Sequence, residues 1–188
     1  MNNGIMKIVL PAAALVVVAA ALLATWHWYV GMHATGPATG PETSWTWTNP
    51  LSGKTATIPP GWKEAGKDAV PGATLALMHK TGKSLIYLVH EENAIDVSLR
   101  DYAEGRQDTM RRELAVEKLE PAADGNSYSG EGAKLFGGTI ANTWVIIWQS
   151  SPQHFWRAAV ITDPDYKYLE FDAKKIVDSL RITTRQVN

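Results

Sequence analysis

Cysteine is absent from these 188 residues, and charge is nearly absent from the first 41, where Lys7 stands alone. The missing cysteines exclude disulfides, thiolate metal centres, a cysteine nucleophile and the lipidated cysteine of a bacterial lipoprotein. A domain of this size folds in an oxidising space without covalent staples, so compartment is not decided by this absence. A basic excess is missing too: 18 Lys and Arg stand against 19 Asp and Glu, a formal net charge of −1. A nucleic-acid partner needs a concentrated basic face, and a grip on anionic lipid needs a polybasic run beside the membrane. Neither is present, so no nucleic acid is expected. No Gly-x-Ser-x-Gly elbow or phosphate-binding loop occurs, and Gly137-Gly138 opens no glycine fingerprint. No cofactor and no catalytic residue is expected.

What is there begins with the uncharged run at residues 8–30, IVLPAAALVVVAAALLATWHWYV. As a helix it reaches about 34 Å, against a hydrocarbon core roughly 30 Å thick. It is expected to be a transmembrane signal-anchor, with Pro11 tolerated in its first turn. Trp26, Trp28 and Tyr29 fall where the helix leaves the bilayer, the depth at which amphipathic rings are favoured. His27 and His33 belong to the same interface. The alternative is a signal peptide cut near Ala19-Ala20-Ala21, leaving a soluble periplasmic protein with an apolar new terminus. Positive-inside bias from Lys7 gives a cytoplasmic tail at 1–7 and an exported C-terminal part, held at a bacterial inner membrane through residues 8–30. Residues 31–43, with two Gly-Pro pairs, form a short and partly stiff linker.

Residues 44–188 suit one domain. Ser44–Thr48 alternates with Trp45 and Trp47 on one face, and Lys54–Ile58 is its hairpin partner across Asn49-Pro50-Leu51-Ser52-Gly53. Pro59-Pro60-Gly61 ends that pairing, and Trp62 closes the core there. Thr74–His79 and Leu85–Glu91 form a second hairpin across Lys80-Thr81-Gly82-Lys83. Ser98 and Asp101 have capping-box spacing, opening a helix whose buried stripe is Leu99, Tyr102, Ala103, Met110 and Leu114. Glu117–Glu120 and Asn126–Gly130 read as short strand or loop. Thr143–Ser150 is the most β-prone run, apolar on both faces, with Phe155–Thr162 as its antiparallel neighbour. A last helix from Asp165 to Leu180 buries Leu169, Ala173, Ile176, Val177 and Leu180. The fold class is α+β: an antiparallel β-sheet flanked by helices, preceded by one transmembrane helix.

Three segments resemble the PsbP-like superfamily. Thr55 to Trp62 (TATIPPGW) is similar to its strand–Pro-x-Gly-Trp opening, Ser98 to Tyr102 (SLRDY) to the start of its first helix, and Ile176 to Arg181 (IVDSLR) to the close of its last. The resemblance covers Ser44 to Ile182 and implies an αβα sandwich used for binding proteins rather than for catalysis. It carries over no catalytic residue. The resemblance points to the DcrB-like bacterial envelope branch, although many envelope relatives carry a lipobox cysteine that this chain lacks.

Among chemistry-bearing side chains, His79 and His90 lie on adjacent hairpin strands with Glu91 following, so a metal site is conceivable if register puts them together. Adjacent strand residues face opposite sides, so Glu91 and Glu92 do not converge. Asp163 and Asp165 flank a proline at a helix start and read as caps. Phe155 and Trp156 cannot share a layer, so one of them, or Trp45 with Trp47, is expected to offer an exposed aromatic patch to a partner. The expected function is a membrane-tethered, exported, non-enzymatic protein-binding module of the bacterial envelope, linked to secretion, chaperoning or immunity. Two alternatives are a metal-dependent hydrolase using His79, His90 and Glu91, and a periplasmic small-molecule sensor with a pocket lined by Trp144 or Trp148.

Overall fold

The computed structural model describes residues 43–66, 69–93, 95–136 and 138–184. The expected span at 8–30, its Trp26, Trp28 and Tyr29, His27 and His33 all lie outside the described residues. Among those described, no helix is long and apolar enough to cross a membrane.

The alternating Trp45–Thr48 (β1) pairs antiparallel with Thr55–Ile58 (β2). Their turn is held by Asn49, whose side-chain oxygen accepts the Leu51 N–H at 2.9 Å, and by Gly53 at φ 68°. The remaining strands are Trp62–Glu64 (β3), Leu75–His79 (β4), Ser84–Glu92 (β5), Glu120–Pro121 (β6), Ser127–Phe136 (β7), Thr139–Ser151 (β8) and His154–Thr162 (β9). They form one antiparallel sheet in the order β3-β4-β5-β9-β8-β7-β6. Pro121 sits in the two-residue edge strand, where a missing N–H costs no ladder bond.

Two helices cover this sheet, Leu99–Leu114 (α1) on one face and Lys167–Thr184 (α2) on the other. Ser98 caps α1 by accepting the Asp101 N–H at 3.1 Å, as the capping-box spacing requires. Tyr102, Ala103, Met110 and Leu114 bury α1 against Tyr87, Val145, Ile147 and Phe155. On the opposite face Ala173, Ile176, Val177 and Leu180 of α2 pack on Leu77, Ile86, Leu88 and Trp156, with Ile58 and Trp47 of the β1–β2 hairpin sharing that layer. The expected αβα sandwich is therefore what forms. Each larger aliphatic in these layers contributes roughly 1.5–3 kcal/mol.

Three differences from the expectation have physical causes. The run at Asn126–Gly130 is the start of a ten-residue strand, β7, whose polar and glycine content masked it. Those glycines serve a close approach: a Cβ on Gly132 would lie 2.3 Å from the Ala115 carbonyl oxygen, and one on Gly130 would lie 2.4 Å from that of Lys118. The chain leaving α1 runs directly over β7, touching it through the Val116–Gly132 bridge. Trp62–Glu64 is a short edge strand as well as a core plug, with Trp62 buried. Finally, the 3-10 turn Pro164–Tyr166, capped by Asp163, precedes α2, which begins at Lys167.

Candidate functional site

The sheet ends unevenly where β8 turns into β9, and polar side chains collect there. Antiparallel pairing of β5 with β9 sets Glu92 opposite His154 and His90 opposite Trp156. The β8–β9 pairing slips between Gln149 and Ser151, a bulge that widens this end. Trp156 Nε1 donates to Ser150 Oγ at 3.2 Å, and Ser150 Oγ donates to the His154 carbonyl at 3.3 Å. The β1–β2 turn lies over these groups. Asn49, Leu51, Ser52, His90, Ser150, His154 and Trp156 together enclose a cavity of ≈170 Å³.

A wider cleft of ≈460 Å³ adjoins it and shares Ser150. Its other walls are the β8–β9 turn (Gln149, Ser151 and Pro152) and the approach to α1 at Asp96, Val97 and Ser98. Gln149 pins the two walls together, its Nε2 reaching the Pro152 carbonyl at 3.0 Å and the Val97 carbonyl at 3.4 Å. Leu51, 56% exposed, lines the smaller cavity, and Ile95, 70% exposed, immediately precedes Asp96 of the wider cleft. One end of the sheet thus carries a polar floor with an apolar residue beside each cleft.

Within the cavity, His90 Nε2 lies 3.0 Å from His154 Nδ1. The ring centroids are 5.2 Å apart and the planes 16° from parallel. That separation exceeds the nitrogen distance by about two ring radii, so the imidazoles lie end to end with one N–H between them. His90 also packs against Trp156, centroids 4.8 Å apart. Burial, reinforced by the charge of His154, holds the His90 pKa below the usual histidine value, and Glu92 opposes that shift.

The structure separates the other sequence candidates. His79 does not share a site with His90: Met78 pairs with Leu85, and His90 lies five residues, about 17 Å, further along β5. His79 is buried beside Trp62 with Nδ1 2.8 Å from Thr81 Oγ1, a satisfied structural histidine. Glu91 faces α1 instead of the cavity, paired with Arg106 and 4.0 Å from Arg157. Arg157 also meets Glu113 at 3.4 Å, and its guanidinium lies 6.0 Å from the Tyr87 ring centroid. Burial pushes the Tyr87 and Tyr102 hydroxyls up to about 12, so this cluster is a neutral-phenol, ion-paired clamp between α1 and the sheet. The expected aromatic patch does not form either. Trp47, Phe155 and Trp156 are buried because both sheet faces are covered, and half-buried Trp45 donates to the Trp62 carbonyl at 2.9 Å. Of these four, only Trp156 reaches the cavity. Trp144 lies away from it, under Lys174 of α2, and Trp148 stacks behind Trp156 at 6.4 Å.

No protein-family model matches the chain, and no curated protein matches it. Solved structures do. The cyanobacterial PsbP (CyanoP) from Synechocystis sp. superposes with a TM-score of 0.54 at 13% identity, covering 78% of this chain and 96% of that one. The fold is PsbP-like. A second match is LpqN, involved in cell envelope biogenesis of Mycobacterium tuberculosis, at a TM-score of 0.48, 9% identity, 72% of this chain and 87% of that one. Within this PsbP-like frame, sequence reasoning assigned His154, Ser150 and Asn49 to no site and set Glu92 aside. His90 and His154 are 64 positions apart, and the β5–β9 register alone brings them together. The available signal was a histidine at the end of each of two long apolar runs.

Proposed function

We propose that the chain is a membrane-tethered, exported, non-enzymatic binding module of the bacterial envelope, which engages a protein partner at the β8–β9 end of its sheet. The observation that carries this is the pair of adjoining clefts meeting at Ser150, flanked by exposed Leu51 and Ile95. Apolar residues around a polar, hydrogen-bonding floor suit an extended segment of a partner, where a few anchors supply most of the affinity. The uncharged run at 8–30 and the Gly-Pro linker support the tether. The linker at 31–43 reaches at most about 47 Å, so the domain works close to the bilayer. The resemblance to the DcrB-like branch supports an envelope role tied to secretion, chaperoning or immunity.

The test is co-purification of the full chain from solubilised membranes, compared with Leu51→Asp and Ile95→Asp. A partner recovered with the native chain and lost with both variants is the expected result. Equal recovery with all three places binding elsewhere.

A further inference from the structure

We propose that His90, Glu92 and His154 form a binding site for a divalent transition-metal ion such as Zn²⁺, Ni²⁺ or Cu²⁺. The site lies in the smaller of the two clefts assigned to partner binding, but it does not rest on that reading, because an ion binds or fails to bind whether or not a partner is present. It begins in the register: Glu92 and His154 are directly opposite on β5 and β9, and His90 is two residues before Glu92, so all three project from one face. Directly opposed residues have Cβ atoms about 4.5–5.5 Å apart and diagonal ones about 7–8 Å, spans that three side chains close around one ion. Metal–nitrogen bonds of about 2.0–2.1 Å at a tetrahedral angle put two ligand nitrogens about 3.3 Å apart. His90 Nε2 and His154 Nδ1 lie 3.0 Å apart across a shared N–H, so the nitrogens are near enough for one ion once that hydrogen bond is given up.

Two changes complete the site. The His154 imidazole pivots from end-to-end to convergent on the His90 ring, releasing the N–H between them, and the Glu92 carboxylate swings in. Both are open to them. His154 is the first residue of β9, half-buried beside the turn, while His90 is held by Trp156. Glu92 is exposed, and its side chain makes no hydrogen bond or ion pair among the described residues. No three His, Asp or Glu side chains among the described residues are placed to hold an ion as they stand, so the ion itself must draw the third ligand in. Ser150 and Asn49 line the cavity beside the pair and leave room for water as a further ligand. Two imidazoles and one carboxylate favour Zn²⁺, Ni²⁺, Cu²⁺ or Fe²⁺ over Mg²⁺ and Ca²⁺, which take oxygen donors.

The test is titration of the full chain in detergent, purified without a polyhistidine tag and stripped by chelator, with ZnCl₂, NiCl₂ and MgCl₂. Heat and tryptophan emission are followed together. One Zn²⁺ or Ni²⁺ per chain and none of Mg²⁺ is expected. His90→Ala or His154→Ala weakens binding at least about tenfold, and Glu92→Gln several-fold. His27→Ala/His33→Ala leaves binding unchanged. Circular dichroism checks the folding of the histidine variants; Glu92→Gln, which removes no hydrogen bond, keeps the test open if either unfolds. No stoichiometric binding below about 100 µM ion, or binding that follows His27 and His33, overturns the site. Binding indifferent to Glu92→Gln overturns the three-ligand assignment.

Discussion

Adding one methyl group at Gly132 and one at Gly105 should move stability in opposite directions. At Gly132 the new Cβ would sit 2.3 Å from the Ala115 carbonyl oxygen, where ordinary contact begins at 3.4 Å, so the two must separate by 3.4 − 2.3 = 1.1 Å. Ala115 cannot retreat freely. It is the left-handed cap of α1 at φ 54°, with its N–H on the Arg111 carbonyl at 3.1 Å. The same helix end is pinned by Thr143 Oγ1, which donates to the Leu114 carbonyl at 2.5 Å, and by the Lys134 ammonium on the Arg112 and Glu113 carbonyls. Overpacking costs about 1–3 kcal/mol, and each hydrogen bond lost in the retreat adds about 1 kcal/mol. Gly132→Ala should therefore destabilise by about 3 kcal/mol. Gly105, exposed on α1 with nothing within 4 Å of its Cβ position, should gain about 1 kcal/mol as alanine. Urea unfolding followed by tryptophan emission and circular dichroism reads both. A Gly132→Ala variant within about 0.5 kcal/mol of the native chain would refute the wedge between α1 and β7.

Arg157→Ala should cost about 3 kcal/mol, since it strips a buried cation from Glu91 and Glu113 and leaves a void under α1. Arg157→Met keeps the apolar stem and removes the buried Nε, which has no partner among the described residues, so it should cost less than half as much in the same urea assay. The pH response follows from His79 and His90, both held below the histidine value of 6.5 chiefly by burial. The unfolded chain then binds more protons, so their contribution is complete above about pH 6.5 and is lost as pH falls through the depressed folded values. Urea midpoints between about pH 7.5 and pH 5 should decline, and His79→Gln or His90→Gln should flatten the decline. The cysteine-free chain allows a topology test: Leu51→Cys should react with a membrane-impermeant maleimide in intact spheroplasts and Asn3→Cys only after lysis. The reverse pattern would put the domain in the cytoplasm.

Helices and the main hairpin were legible because their signals are periodic. The stripe Leu169, Ala173, Ile176, Val177 and Leu180 faces the core as its spacing requires, and Ser98 caps α1 where the box spacing puts it. β7 was illegible as a long strand because Gly130 and Gly132 meet a crossing backbone, a tertiary demand that lowers strand propensity locally. The aromatics misled for a related reason. Alternation tells that Phe155 and Trp156 face opposite ways, but only the number of covering layers tells whether either is exposed, and here both faces are covered. For the site, the sequence exposed one histidine of the pair and the wrong glutamate. Glu91 and Glu92 differ by one residue, and parity against a strand 60 positions away decides which of them shares a face with His154.

The most direct test of the proposed function is in-cell photo-crosslinking of the membrane-anchored full chain, with a photoreactive residue in place of Leu51, Ile95 or Gly105. A discrete protein adduct from the Leu51 and Ile95 positions, absent from the exposed helix position 105, is the predicted result. No adduct at the sheet end, or the same adduct from position 105, would contradict partner binding there.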